Sequence, residues 1–172
     1  DAFIAARILR ERGFRVRVGL LGEQGGLHGD CALAAKRFAG EVVAASPSLV
    51  EGAGLIVDGL FGAGFRPPLS SEAGQLVMAV NRRRVPVVAI DLPSGVPGDG
   101  SLTDGPAIAA DETVTFFRLK PAHLLYPGRA LCGRVRVVDL GIAAATLAAI
   151  APQTFHNLPP LWRRALPGLR PT

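Results

Sequence analysis

Two carboxylates, Asp58 and Asp91, each stand at the end of a short apolar run and directly before a break into glycine and proline. Asp58 closes Leu55-Ile-Val-Asp58 and opens Gly59-Leu-Phe-Gly-Ala-Gly-Phe-Arg-Pro-Pro-Leu69, while Asp91 closes Val87-Val-Ala-Ile-Asp91 and opens Leu92-Pro-Ser-Gly95. A β-branched run of this length is the pattern of a buried parallel strand, and the break puts the acid at its carboxyl end. Ligands of open α/β sheets bind in the crevice outside those ends, so two acids beside a Gly-rich turn predict a small-molecule pocket.

The residue types narrow the chemistry. A carboxylate ending a buried strand is costly unless it is hydrogen-bonded, paired or bound to a cation. Asp58 therefore either caps the amides of the following turn or ligates a hard cation, for which carboxylate, hydroxyl and carbonyl oxygens suit an alkali or alkaline-earth ion. Ser94 is the candidate hydroxyl. Residues 62–68 lack bulky β-carbons at Gly62 and Gly64, which allows close backbone approach and an anion-binding nest of N–H groups. Arg66 could meet a phosphate there or be an ordinary surface arginine. No GxxxxGK[ST] and no full GxGxxG occurs, so neither a P-loop nor a standard dinucleotide fingerprint is present.

Asp91 is followed by Pro93, whose ring fixes the backbone and pushes Leu92 toward an extended conformation. An acid held so could hydrogen-bond a substrate or move a proton, or it could merely cap the turn at residues 93–95. Lys120 and Tyr126 fall in a loop at the same expected sheet edge and are candidates for the pocket wall. His28, His123 and His156 have no spacing that suggests a metal or a triad, and read as surface or loop residues.

Elements that could position these groups follow from periodicity. Helices are expected over residues 2–12, closed by Gly13, over 28–38, closed by Gly40, and over 72–84. Strands are expected over 15–21, 41–45, 55–61, 85–92, 112–119 and 134–140. Residues 48–52 are too short to assign. The alternation is that of βαβ units with right-handed crossovers and a parallel sheet. Residues 93–109 form a long loop rich in Gly, Pro and Asp, a length that is usually functional or mobile. After Ile142 the chain turns Ala-rich and then carries Pro152, Pro159, Pro160, Pro167 and Pro171 among arginines, which is linker composition.

Composition excludes several classes. At 172 residues and 49% hydrophobic, the chain has enough apolar material for one core. The longest apolar runs are strand-sized, far short of the roughly 18 residues of a membrane span. The net charge is +5, but the arginines are scattered and only 6% of residues are aromatic, which argues against nucleic acid. A mild positive field also favours an anionic metabolite. Cys31 and Cys132 lie far apart in no metal-ligand spacing and read as free thiols of a reducing cytosol. The start, Asp1-Ala-Phe-Ile-Ala-Ala-Arg7, has no signal-peptide character and reads as the opening of a helix in a chain truncated at its N-terminus.

Ile56-Val-Asp-Gly-Leu-Phe-Gly-Ala-Gly-Phe-Arg-Pro-Pro-Leu69, Ala89-Ile-Asp-Leu-Pro-Ser-Gly95, Thr113-Val-Thr-Phe116 with Lys120-Pro121, and Leu125-Tyr-Pro-Gly128 together resemble the YjeF N-terminal domain, the NAD(P)HX epimerase family. The resemblance covers residues 1–142. It implies an α/β, Rossmann-like three-layer sandwich with a mostly parallel central sheet, and an isomerase of nicotinamide nucleotide repair in the cytoplasm. Such enzymes interconvert the R and S epimers of hydrated NADH or NADPH at C6 of the nicotinamide-derived ring. By the same resemblance, potassium ligands carry onto Asp58 and Ser94. The substrate loop carries onto Gly62, Ala63, Gly64, Phe65, Arg66, Pro67 and Pro68, and the substrate-contacting acid and candidate acid/base onto Asp91. Asp1 resembles the acid that ends the family's NNGGD segment, another substrate contact, whereas the asparagines before it are not in this sequence. Residues 1–172 alone are accordingly expected to be inactive. Residues 143–172 resemble the connector of bacterial bifunctional repair enzymes, in which an ADP- or ATP-dependent dehydratase domain follows. No membrane or nucleic-acid partner is implied, and self-association into a homo-oligomer stays open. The rival readings are a non-catalytic ligand-binding or protein-interaction module on the same scaffold, and an unrelated Rossmann-like transferase, for which the nucleotide fingerprint is lacking.

Overall fold

A computed structural model describes residues 1–101, 104–143 and 145–166. Asp1–Leu140 form one compact unit and Gly141–Thr172 another. In the first unit, α1 (Ala2–Glu11) buries Phe3 and Ala6, spaced for one helix face, and gives way to Gly13 at φ 89°. β1 (Arg17–Leu20) and β2 (Glu41–Ala44) flank α2 (Gly29–Arg37) and pair in parallel. Phe3, Ala6, Ala35 and Phe38 close a small core against Val16, Val18 and Val42.

The larger sheet holds β3 (Ile56–Asp58), β4 (Val87–Ile90), β5 (Glu112–Phe116) and β6 (Arg134–Val138) in that order, all parallel. A single mostly parallel sheet is the sequence expectation; the described strands instead fall into two parallel sheets. α3 (Ser71–Arg82) crosses between β3 and β4, and its first turn is held by Ser70, whose hydroxyl accepts from the Ala73 N–H at 3.2 Å. From its buried face, Leu76, Val77 and Val80 pack on Val87 and Ala89 with Ile108 and Ala110. At roughly 1.5–3 kcal/mol for each fully buried Val or Leu, this cluster is the main stabiliser of the sheet that carries the two acids. The 3-10 turn Pro47–Val50, in the stretch left unassigned from sequence, adds Val50 to it.

The strands stop earlier than the apolar runs suggest, at Asp58 rather than residue 61, at Ile90 rather than 92, and at Phe116 rather than 119. Side chains and local turns take the amides that a longer ladder would need. The Leu60 N–H donates to Asp58 and the Phe61 N–H to Ser94, while the Leu92 and Arg118 amides fold back onto Ile90 and Phe116 carbonyls. α4 (Gly128–Leu131) leads into β6. In the second unit, α5 (Ala145–Ile150) and α6 (Pro159–Trp162) are short exposed helices within the stretch whose composition reads as linker. No helix among the described residues is long and apolar enough to cross a membrane.

Candidate active site

The register sets Asp58 level with Ala89, so the ends of β3, β4 and β5 open on one edge of the sheet. There Asp58, 3% exposed, meets Ser94, fully buried. The Ser94 hydroxyl donates to Asp58 Oδ1 at 2.6 Å, the Ser94 N–H to Oδ2 at 2.7 Å, and the Leu60 N–H to Oδ1 at 3.3 Å. Burial pushes the Asp58 carboxyl above its ordinary value, against these hydrogen bonds, which favour the charged form. Gly95 makes the approach possible. It sits at φ 95°, and a β-carbon there would lie 2.5 Å from the Pro106 carbonyl oxygen.

Asp91 follows β4 directly with φ 69°, a left-handed conformation that Asp tolerates better than most residues and that concentrates at functional sites. Its carboxylate accepts from three donors: the Ala63 N–H at 2.9 Å on Oδ2, and Thr115 Oγ1 at 2.8 Å and Lys120 Nζ at 2.5 Å on Oδ1. Burial alone raises the carboxyl, but the Lys120 hydrogen bond, with the Ala63 and Thr115 donors and the lysine charge, holds it below its ordinary value. The group is an anion at neutral pH.

Behind it, His123 is 3% exposed. The Lys120 N–H donates to Nδ1 at 2.9 Å, which leaves the proton on Nε2 to donate to the Asp91 carbonyl at 2.8 Å. Burial, aided by the Lys120 charge, pushes this imidazole below its ordinary value against the Asp91 hydrogen bond, so it is neutral. The expectation of a surface histidine is therefore wrong for His123: its 3-10 turn, Pro121–His123, packs inward and satisfies both ring nitrogens.

A cleft of about 320 Å³ opens over these groups, with Asp1, Gly62, Asp91, Phe116 and Lys120 among its walls. Of the candidates from sequence, Asp91, Gly62, Asp1 and Lys120 border it, and Ala63 touches Asp91. Gly64, Phe65, Arg66, Pro67 and Pro68 are not part of its wall. Phe65 is buried against Phe61 with ring centroids 5.2 Å apart, and Arg66 is exposed, bonded to the Phe65 carbonyl. The amides of Leu60, Phe61 and Ala63 are spent on Asp58, Ser94 and Asp91, so this part of the turn cradles the protein's own oxygens rather than an outside anion. Tyr126 is 73% exposed and outside the wall.

Thr115 was not singled out from sequence. The signal was the pair Thr113 and Thr115, which fall on one face of a strand and are both fully buried, Thr113 donating to the Cys132 carbonyl at 2.7 Å. Both cysteines are free thiols, Cys31 exposed and Cys132 buried, the latter pushed up to about 11 by burial.

The Asp91 network predicts an acid-side pH dependence. A carboxyl lowered on folding contributes stability that is present above its unfolded-state value and lost as pH falls through its folded-state value. The melting-temperature difference between wild type and Asp91→Asn should therefore shrink as pH is lowered through the carboxylate range; a difference independent of pH would contradict the ion pair.

Comparison with known proteins gives these elements a lineage. The chain is 38% identical over 145 residues to the "Bifunctional NAD(P)H-hydrate repair enzyme Nnr" of Mycobacterium tuberculosis, covering 84% of this chain and 29% of that one. It thus spans less than a third of that relative's length. It is 39% identical over 150 residues to the "NAD(P)H-hydrate epimerase" of Achromobacter xylosoxidans, covering 83% of this chain and 70% of that one. The crystal structure of yeast ynu0, YNL200c, superposes with a TM-score of 0.62 at 19% identity over 90% of this chain and 67% of the other, which shows a shared fold. A family model described as "YjeF-related protein N-terminus" matches residues 1–122, the stretch that contains α1 through β5 and every described donor to the Asp58 and Asp91 carboxylates. With most of the chain matched by that model, this protein belongs to the family of the YjeF-related protein N-terminus.

Proposed function

We propose that this chain is an NAD(P)H-hydrate epimerase domain that interconverts the R and S forms of hydrated NADH and NADPH, with Asp91 as its base. The observation that carries the reading is an ionised carboxylate bordering a cleft at the carboxyl edge of a parallel sheet, in a chain whose relatives bear that name. C6 of the hydrated ring carries a hydroxyl beside the ring nitrogen, so its configuration is lost when water leaves or the ring opens, and either route needs a proton acceptor. A fixed anion at the cleft wall accepts that proton and faces any positive charge that develops on the ring. The test is to follow a single purified epimer of hydrated NADPH, and separately of hydrated NADH, with the full-length protein. Appearance of the other epimer faster than in buffer is expected; no acceleration leaves the ligand-binding module as the reading.

The Asp58 and Ser94 pair fits a potassium ion by its chemistry. Its oxygens are hard, one negative charge matches one positive charge, and the buried carboxylate has only neutral donors, with no basic side chain paired to it among the described residues. No group of three His, Cys, Asp or Glu forms a metal cluster among the described residues, so carbonyl oxygens would complete the shell. A monovalent ion is a weak Lewis acid and would serve by fixing the two turns at constant separation. A ligand that binds only the folded state stabilises it by mass action. Melting temperature should therefore rise more in potassium chloride than in lithium chloride at equal ionic strength, and Asp58→Asn should abolish the difference; identical melts in the two salts would reject the potassium site.

Residues 143–172 are, in this reading, the connector to the second activity that "bifunctional" names in the relatives, an ADP- or ATP-dependent dehydratase domain. Their support is the Ala- and Pro-rich composition and the short exposed helices.

A further inference from the structure

A base accounts for only half of an exchange at C6, because the departing hydroxyl must also receive a proton. Asp91 has no proton to supply in the resting cleft: three donors surround its carboxylate and hold it ionised. His123 cannot either, since Nδ1 is an acceptor and the Nε2 proton is committed to the Asp91 carbonyl in a buried position. Among the residues that border the cleft, Lys120 has the one basic side chain. Its side chain and that of Asp91 keep 25% and 18% of their surface open, so both can be reached from the cleft.

The hydrogen bonds of Lys120 are unequal. Two are short, to Asp91 Oδ1 at 2.5 Å and Thr115 Oγ1 at 2.8 Å, and Thr115 passes its own proton on to the same Asp91 oxygen. The third, to the Phe116 carbonyl, is 3.2 Å long, the upper limit of ordinary N–H···O geometry. Phe116 itself borders the cleft. The ammonium is thus fixed by two bonds while its third proton, weakly held, is the one that a hydroxyl in the cleft can take.

We propose that Lys120 is a catalytic proton donor, giving its third ammonium proton to the hydroxyl that leaves C6 of the hydrated nicotinamide ring. This assignment rests on the epimerase reading above. The Nζ–H proton passes to the C6 hydroxyl oxygen, and the C6–O bond breaks with its electron pair departing in water. The lone pair of the ring nitrogen forms the N=C6 double bond of an iminium ion, which faces Asp91. Water then adds to the opposite face of C6, its proton goes to the Asp91 carboxylate, and a proton crosses from Asp91 to Lys120 through their 2.5 Å contact. No electrons enter or leave. Asp1 also borders the cleft, and the charged or titratable groups facing Lys120 are Asp91 from the end of β4 and His123 from its own 3-10 turn.

Lys120→Arg separates charge from proton transfer. Arginine keeps a cation and a donor beside Asp91 but holds its proton too firmly to give it up. Turnover of a purified epimer by the full-length variant should fall about 100-fold or more, the usual scale of acid catalysis, with the melting temperature near that of wild type. Lys120→Ala should regain turnover with added methylammonium, which can donate a proton, and not with guanidinium, which cannot. If wild type epimerises and Lys120→Arg does so at a near wild-type rate, or if guanidinium restores Lys120→Ala as well as methylammonium does, the lysine is only a structural charge and the assignment is overturned while the epimerase reading stands. A wild-type protein without epimerase turnover overturns both.

Discussion

Asp91→Asn is expected to lower epimerase turnover by about 100-fold or more, the lower end of the range for general acid–base catalysis. Asparagine has the shape of aspartate and shares its tolerance of the left-handed φ of 69°, so the turn after β4 survives the change. The amide oxygen can still accept from the Ala63 N–H or from Thr115, but not with a full charge, and Lys120 loses its counter-ion. The cleft then has no anion beside Lys120 to accept the proton or to face a cationic ring. The comparison is made on the rate at which one purified epimer converts to the other, with melting temperature as the control for folding. Turnover close to wild type in a folded variant would remove Asp91 from the mechanism, and its ion pair with Lys120 would be structural only.

Asp58→Ala is expected to act on the fold, costing about 3 kcal/mol or more. The substitution removes the acceptor of the Ser94 hydroxyl, the Ser94 N–H and the Leu60 N–H together, and a buried donor left without a partner costs roughly 1–3 kcal/mol. Alanine offers no oxygen in return, and Ser94 is fully buried, so water has no direct route to its donors. Because Ser94 Oγ also accepts from the Phe61 N–H, the damage spreads into the turn that carries Ala63 and thus to Asp91. Asp58→Asn, which keeps one acceptor oxygen, should cost less. Chemical denaturation of the two variants against wild type measures the ranking, and equal stability of Asp58→Ala and wild type would show that the clamp carries no weight.

Residues of this site differ in how far their neighbours along the chain reveal them. For Asp58 and Asp91 the apolar run, the acid and the Gly/Pro break suffice, because strand length, burial and termination are local properties read from consecutive residues. The same holds for α3, whose apolar spacing and preceding Ser70 announce a capped amphipathic helix. The end of β3 differs from the apolar run for a reason that run does not contain, namely that Ser94, 33 residues from Phe61, takes an amide the ladder would otherwise use.

By itself, then, the sequence determined the three longest helices and the six strands, the parallel α/β class, the family, and which two strand ends carry acids. Tertiary structure decided the partners. Asp91 meets Thr115 and Lys120, 24 and 29 residues away, only because β5 lies beside β4 in a register that sets Ile90 against Val114. It decided the state of His123 as well, since a histidine in a Pro-Ala-His-Leu-Leu turn reads as exposed until the turn folds onto the Asp91 carbonyl. The physical reason is one of range: periodicity and turn chemistry act over a few residues, whereas the charge on a carboxylate and the proton on an imidazole answer to whichever groups the sheet brings within about 3 Å, however distant along the chain.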